Sequence, residues 1–174
     1  MTFEIRSDIT NRSMAIASRA MRRVLRRKRS IIWAIFGWTV FFINALLLIP
    51  FDGEPFTLDV TTVTALLVEV MLLSVLLFRD RFNGMIACKN TLAGTKAYHF
   101  VFGEDSYTII TEVVTSTFHY ELIDALAESQ DYIIFLMKKR YAQPLDKRTL
   151  TGGTVEEFKR FLEEKTGKTF RRVK

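Results

Sequence analysis

The sequence predicts an α+β membrane protein, in which a two-helix transmembrane hairpin precedes an antiparallel β barrel or sheet capped by a C-terminal α-helix. Three observations carry this. Residues 31–50 (IIWAIFGWTVFFINALLLIP) and 60–78 (VTTVTALLVEVMLLSVLLF) are apolar runs that hold one ionisable side chain between them, Glu69. From Ala97 onward the apolar residues fall into short runs separated by turn residues. The last part of the chain reads as a capped amphipathic helix.

Each apolar run is close to the ~20 residues that a helix needs to cross ~30 Å of hydrocarbon. The expected organisation is therefore an N-terminal strand and basic amphipathic helix at 1–30, and a hairpin at 31–78 with spans 31–50 and 60–78 and a loop at 51–59. A C-terminal domain follows at 79–174. A cleaved secretory signal is not expected. The basic stretch is long, the apolar core exceeds that of a signal, and Leu46-Leu47-Leu48-Ile49-Pro50 offers no small-residue cleavage site. The single cysteine, Cys88, excludes an internal disulfide and a cysteine-cluster metal site.

Charge sets the expected topology. Arg19, Arg22, Arg23, Arg26, Arg27, Lys28 and Arg29 precede the first run, and Arg79 and Arg81 follow the second. The loop carries Asp52, Glu54 and Asp59 and no basic residue. Lys and Arg near span ends stay inside, so both termini are expected in the cytoplasm. The loop becomes a short external turn helped by Gly53 and Pro55. With so little outside, catalysis by an ectodomain is not expected, and two helices alone enclose no transport pathway.

Within the first span, Ala34, Gly37, Phe41, Asn44, Ala45 and Leu48 share one helical face, where small residues permit close helix approach and Asn44 can hydrogen-bond across it. Glu69 lies mid-span, where a carboxyl group usually faces protein or water. It reads either as a proton or cation site, or as a structural group bonded to Asn44, to Thr62 or Thr64 of a neighbour, or across an oligomer interface. The structural reading is the commoner one. Trp33 suits an interfacial anchor.

Ahead of the spans, residues 2–6 (TFEIR) alternate like a strand. Thr10 can cap a helix, with Ile9 and Met14 placed as a hydrophobic staple. Met14, Ala17, Met21, Val24 and Leu25 form its apolar stripe. Arg22, Arg23, Arg26, Arg27, Lys28 and Arg29 are candidates for contact with an anionic leaflet. The same charges set orientation and can continue into the first span. A position against the membrane disfavours nucleic acid as their partner.

After the second span, residues 79–93 read as a helical extension with Gly84 as a weak point. Strands are expected at 97–102, 107–110 and 113–120, with a weaker strand or crossing segment at 121–128. Residues 132–137 (YIIFLM), apolar on both faces, read as a buried central strand. A last strand at 141–145 has Pro144 marking an edge. Lys138-Lys139-Arg140 forms the turn between them. Its side chains are candidates for anionic headgroups, although a solvated turn is the commoner meaning. Thr154-Val155-Glu156-Glu157 is a capping box. Phe158, Phe161 and Leu162 line the apolar stripe of the helix that follows, and Thr166-Gly167 ends it. Meandering antiparallel strands closed by one helix describe a pleckstrin-homology-like (PH-like) half-open barrel.

Residues 100–165 resemble the YcxB-like domain of bacterial membrane proteins. The resemblance rests on FGEDSY from Phe102, YELI from Tyr120, SQDYIIFL from Ser129 and KRTLTGGTVEEFKRFL from Lys147. Many family members have Trp where this chain has Tyr120, and Ile-Pro before the lysine where it has Pro144-Leu145-Asp146. The layout of a short N-terminal segment, two adjacent spans and this domain is also similar. The resemblance implies a PH-like fold in a bacterial cell membrane and brings no catalytic residues with it. It leaves two arrangements open for residues 2–6. They either stand apart or join the C-terminal sheet, making the spans an insertion into one domain.

Chemical motifs are absent from the sequence. Gly152-Gly153 with Lys147-Arg148 can be read as an anion site at a helix start, but a plain turn is the commoner meaning. His99 and His119 have no ligand spacing, and no G-x-S-x-G pattern occurs. No enzyme, cofactor or metal is therefore expected. The expectation is a membrane-anchored, non-enzymatic binding or regulatory module whose cytosolic domain engages a protein partner or anionic lipid, with homo-oligomers compatible. The alternative is a small oligomeric transporter or channel subunit using membrane-buried Glu69.

Overall fold

A computed structural model describes residues 2–49, 58–91, 95–138 and 141–173. The expected turn at Gly53 and Pro55, and the candidates Lys139 and Arg140, lie outside these residues. Strand β1 (Phe3–Asp8) leads into helix α1 (Asn11–Val24). The α1 start is capped reciprocally: the Ser13 amide donates to Thr10 Oγ1 at 3.1 Å, and the Thr10 amide donates to Ser13 Oγ at 2.9 Å. Helix α1 does not run on into the first apolar segment. Arg26 takes φ −116° and ψ 23°, and a separate helix α2 (Arg27–Leu47) begins there.

Helix α3 (Val60–Lys89) carries the second apolar run and continues beyond it, leaving helical geometry only at Phe78 (φ −104°, ψ 15°). Both α2 and α3 are long and apolar enough to cross a membrane. Their outer faces leave large side chains such as Ile32, Phe42, Leu67 and Met71 exposed. On the inner face of α2, Ala34, Gly37, Phe41, Ala45 and Leu48 are half-buried, as their spacing predicts. A Cβ on Gly37 would come within 2.6 Å of Leu76 Cδ2, so the small residue admits α3. Asn44 departs from the expectation. It is exposed, and its Nδ2 donates to the Val40 carbonyl one turn back, at 2.9 Å.

Gly84 is not a weak point either. Helix α3 passes through it, and a Cβ there would stand 2.5 Å from the Ala15 backbone nitrogen. The missing side chain lets α1 lie directly on the α3 extension. That packing is the main link between the helices and the rest of the fold.

The remaining chain forms β2 (Ala97–Phe102), β3 (Ser106–Ile110), β4 (Thr115–His119), β5 (Ala125–Glu128), β6 (Tyr132–Met137), β7 (Tyr141–Asp146), helix α4 (Val155–Thr166) and β8 (Phe170–Arg172). These strands make two four-stranded sheets, β1-β2-β3-β4 and β7-β6-β5-β8, not one closed barrel. Strand β1 pairs antiparallel with β2, setting Phe3 opposite Phe102 and Ile5 opposite Phe100. Of the two arrangements open for residues 2–6, the strand therefore joins the C-terminal sheet, and α1, α2 and α3 lie between two neighbouring strands of it. The expected segment 121–128 divides into a 3-10 turn (Tyr120–Leu122) and β5. Strand β8, parallel to β5, has no counterpart in the sequence reading, since three residues after a glycine carry too little periodicity.

An aromatic core holds the sheets against α4. Phe102 and Phe158 rings lie 4.8 Å apart, and the Phe3 ring packs tilted at 5.2 Å from Phe158. The Tyr120 hydroxyl donates to the Gly103 carbonyl at 2.8 Å. Strand β6 explains its own sequence: Ile133 and Phe135 enter this core, while Tyr132, Ile134 and Leu136 pack under Ala17, Ala20 and Met21 of α1. A strand covered on both faces has no polar side to display.

Candidate anionic-lipid interface

Three helix segments meet at the base of the apolar pair: the last turn of α1, the first turn of α2 and the part of α3 that follows Phe78. Asp80 ties two of them together. Arg22 donates to it through two nitrogens, Nε to Oδ1 at 2.9 Å and Nη2 to Oδ2 at 2.5 Å, and Arg19 approaches at 3.4 Å. This paired hydrogen bond raises the Arg22 pKa above its ordinary value against the opposing effect of burial. Around the pair opens a cleft of about 490 Å3, lined by Arg22, Arg26, Arg29 and Arg79 with Trp33 at its side. Asp80 lines the same cleft.

A second cleft, of about 770 Å3, is lined by Val24, Leu25, Arg26, Arg27, Lys28, Arg29 and Lys138. Lys138 belongs to the β6–β7 turn and stands in a left-handed conformation with φ 46°. Lys138 and the Arg26–Arg29 turn, more than a hundred positions apart in sequence, thus share one surface, with Arg26 and Arg29 common to both clefts. The α2 N-terminus reinforces its charge. Arg26 at the cap position makes no side-chain capping bond, and the first turn has no acid. A helix start favours negative charge, yet the ionisable side chains of this first turn, Arg27, Lys28 and Arg29, are all positive.

The other candidates are placed differently. Arg23 is exposed in the last turn of α1 and lines neither cleft. Glu69 is buried, 9% exposed, on the face of α3 shared with half-buried Ala65, Leu72 and Leu76. Neither of its carboxyl oxygens has a hydrogen-bond partner among the described residues. Asn44 and Thr64 do not serve it, because both bond to their own helix backbones.

The anion reading of Lys147-Arg148 is corrected. Lys147 Nζ donates to Glu128 Oε1 at 2.7 Å, and Arg148 pairs with Asp146 at 2.6 Å. Lys159 Nζ donates to the other Glu128 oxygen at 2.8 Å. Burial pushes the Glu128 carboxyl up, and the two lysine hydrogen bonds outweigh it, leaving it below the ordinary value. His99 lies 3.0 Å from Glu4 on the neighbouring strand, a contact that needed the β1–β2 pairing to arise. No cluster of three or more His, Cys, Asp or Glu able to hold a metal occurs among the described residues. Arg79 is the site residue that the sequence reading used only for topology. Its position directly after the second apolar run was the available signal.

Residues 102–162, covering β3 to most of α4, match the family model described as YcxB-like protein. The chain carries a YcxB-like domain. Neither the curated proteins nor the solved structures yield a match. The YcxB-like segment contains Lys138 and the Glu128–Lys147–Lys159 cluster, while β1 and the helices that complete the basic surface lie before it.

Proposed function

We propose that the protein is a membrane-anchored, non-enzymatic module whose basic surface binds anionic lipid headgroups at the cytoplasmic leaflet. In this reading α2 and α3 cross a bacterial cytoplasmic membrane and both termini stay inside. A PH-like domain is held against the membrane by α1. A four-stranded meander, then three antiparallel strands and a helix, supports the PH-like description. The exposed apolar faces of α2 and α3 support insertion, since a soluble surface of that kind would aggregate.

One observation carries the lipid reading: Arg26, Arg29 and Lys138 are brought together with Arg79 and Trp33 where α2 begins and the apolar run of α3 ends. Basic pockets at the cytoplasmic ends of membrane helices suit phosphate headgroups, at about 1 kcal/mol per Lys or Arg. The test reconstitutes the full chain in mixed phosphatidylcholine and phosphatidylglycerol nanodiscs and weighs the retained lipid by native mass spectrometry. Wild type retains phosphatidylglycerol preferentially. The triple variant Arg29→Ala, Arg79→Ala, Lys138→Ala loses most of that preference, by about 3 kcal/mol, or roughly a hundredfold. Equal retention by both proteins refutes the reading.

Glu69, buried and without a hydrogen-bond partner among the described residues, supports the second reading, an oligomeric subunit that moves protons or cations. Proton flux into liposomes that falls on Glu69→Gln with assembly intact would favour it.

A further inference from the structure

Because the two sheets do not close into a barrel, an apolar cavity of about 610 Å3 lies between them. Phe100 of β2, Phe118 of β4 and Met137 of β6 line it, and Ile9 and Met14 close it from the β1–α1 side. Its size falls within the ~300–1,000 Å3 of small-molecule sites, which combine apolar walls with a few placed polar groups. Here the polar lining residues are Thr91, Tyr98, Lys138, Tyr141 and Gln143. The cavity is not isolated. Met14, Ala87 and Ala142 form walls of both it and the first basic cleft, and Lys138 belongs to both it and the second.

We propose that this cavity receives the acyl chain of a single-chain anionic lipid whose headgroup rests on the Lys138–Arg29 surface. An apolar chamber whose rim is cationic matches an amphiphile with one tail and a negative head. A neutral apolar compound leaves the cationic rim unused. The inference rests on the membrane-lipid reading above and deepens it, from a headgroup surface to a chemically specific lipid site.

The experiment uses the full chain in phosphatidylcholine nanodiscs and a lysophosphatidylglycerol probe bearing a diazirine in its acyl chain. Labelled residues are mapped by peptide mass spectrometry. Label is expected on peptides that hold Phe118 and Met137, with unlabelled lysophosphatidylglycerol competing at least tenfold better than lysophosphatidylcholine or glycerol 3-phosphate. Ala87→Phe, which fills a shared wall, is expected to reduce cavity labelling at least tenfold. Lys138→Asn removes the rim charge while keeping a residue tolerant of the left-handed backbone, and is expected to weaken competition several-fold. Label confined to the outer faces of α2 and α3, or equal competition by lysophosphatidylcholine, two-chain phosphatidylglycerol or a neutral apolar compound, overturns the proposal. If Ala87→Phe does not fold, the competition series decides alone. Preserved phosphatidylglycerol retention without cavity label defeats this inference only, whereas loss of both defeats the headgroup reading as well.

Discussion

Replacing Glu128 by Gln removes the acceptor at the centre of a cluster that joins β5, the turn after β7, and α4. Lys147 and Lys159 donate to its two oxygens at 2.7 and 2.8 Å, with the side chains of Glu128, Lys147 and Lys159 14%, 14% and 25% exposed. A hydrogen bond to a charged group contributes about 1.5–3 kcal/mol. Gln keeps one weaker acceptor and turns its NH2 toward an ammonium, so one bond is lost, the other declines, and two lysines face each other uncompensated. Partial exposure lowers the cost of stranding them, giving a net loss of about 2–3 kcal/mol. For a chain of this size that corresponds to a Tm lower by roughly 4–12 °C, measured by circular dichroism on the full chain in detergent. The pH dependence adds a second requirement. Folding holds the Glu128 pKa below its ordinary 4.5, so its contribution is complete above the unfolded value and disappears as pH falls through the lower folded value. The gap between wild type and Glu128→Gln is therefore full at pH 7 and shrinks below about pH 4. A gap of the same size at pH 7 and pH 3, or none at pH 7, refutes the ionic account of this cluster.

Three further outcomes follow from the packing. Gly84→Leu forces α1 away from α3, because even a Cβ would stand 2.5 Å from the Ala15 backbone. Overpacking costs about 1–3 kcal/mol, which exceeds the roughly 0.8 kcal/mol gained in helix propensity, so thermal stability falls and proteolysis between α1 and α2 quickens. A rise in stability would show that the helices are not in contact there. Glu69→Gln changes stability in denaturant titration by less than about 1 kcal/mol, since neither carboxyl oxygen has a partner to lose among the described residues. A larger loss would reveal a partner in an assembly. Tyr120→Phe removes the bond to the Gly103 carbonyl and costs about 1–2 kcal/mol in the same titration. No measurable cost would show that the hydroxyl is satisfied equally well by water.

Local rules made much of the architecture legible in advance. The capping box at Thr154, the alternation around Phe100 and Phe118, and the length of two apolar runs each depend on neighbours within a few positions. Each of these elements appears with its bounds shifted by a few residues at most, except that α2 starts at Arg27, α3 runs on to Lys89 and the strand expected at 113–120 shortens to Thr115–His119. The small-residue face of α2 was equally readable, because helical spacing alone puts Ala34, Gly37 and Ala45 together. Gly84 shows the limit of that logic. As a residue it signals a weak helix, and only the position of Ala15 turns it into a contact point.

What the sequence by itself determined is the set of elements and the sign of their charges: two membrane-length helices, a basic approach to them, and a β domain ending in a capped helix. The tertiary structure alone decided which distant groups became neighbours. It set β1 beside β2 across three intervening helices and spent Lys147 and Lys159 on Glu128. It left the sheets open around a cavity and carried Lys138 to the Arg26–Arg29 turn. The physical reason is range. Periodicity, capping and hydropathy act over one or two turns of chain, whereas an electrostatic surface or a cavity is made by packing residues that no local pattern relates.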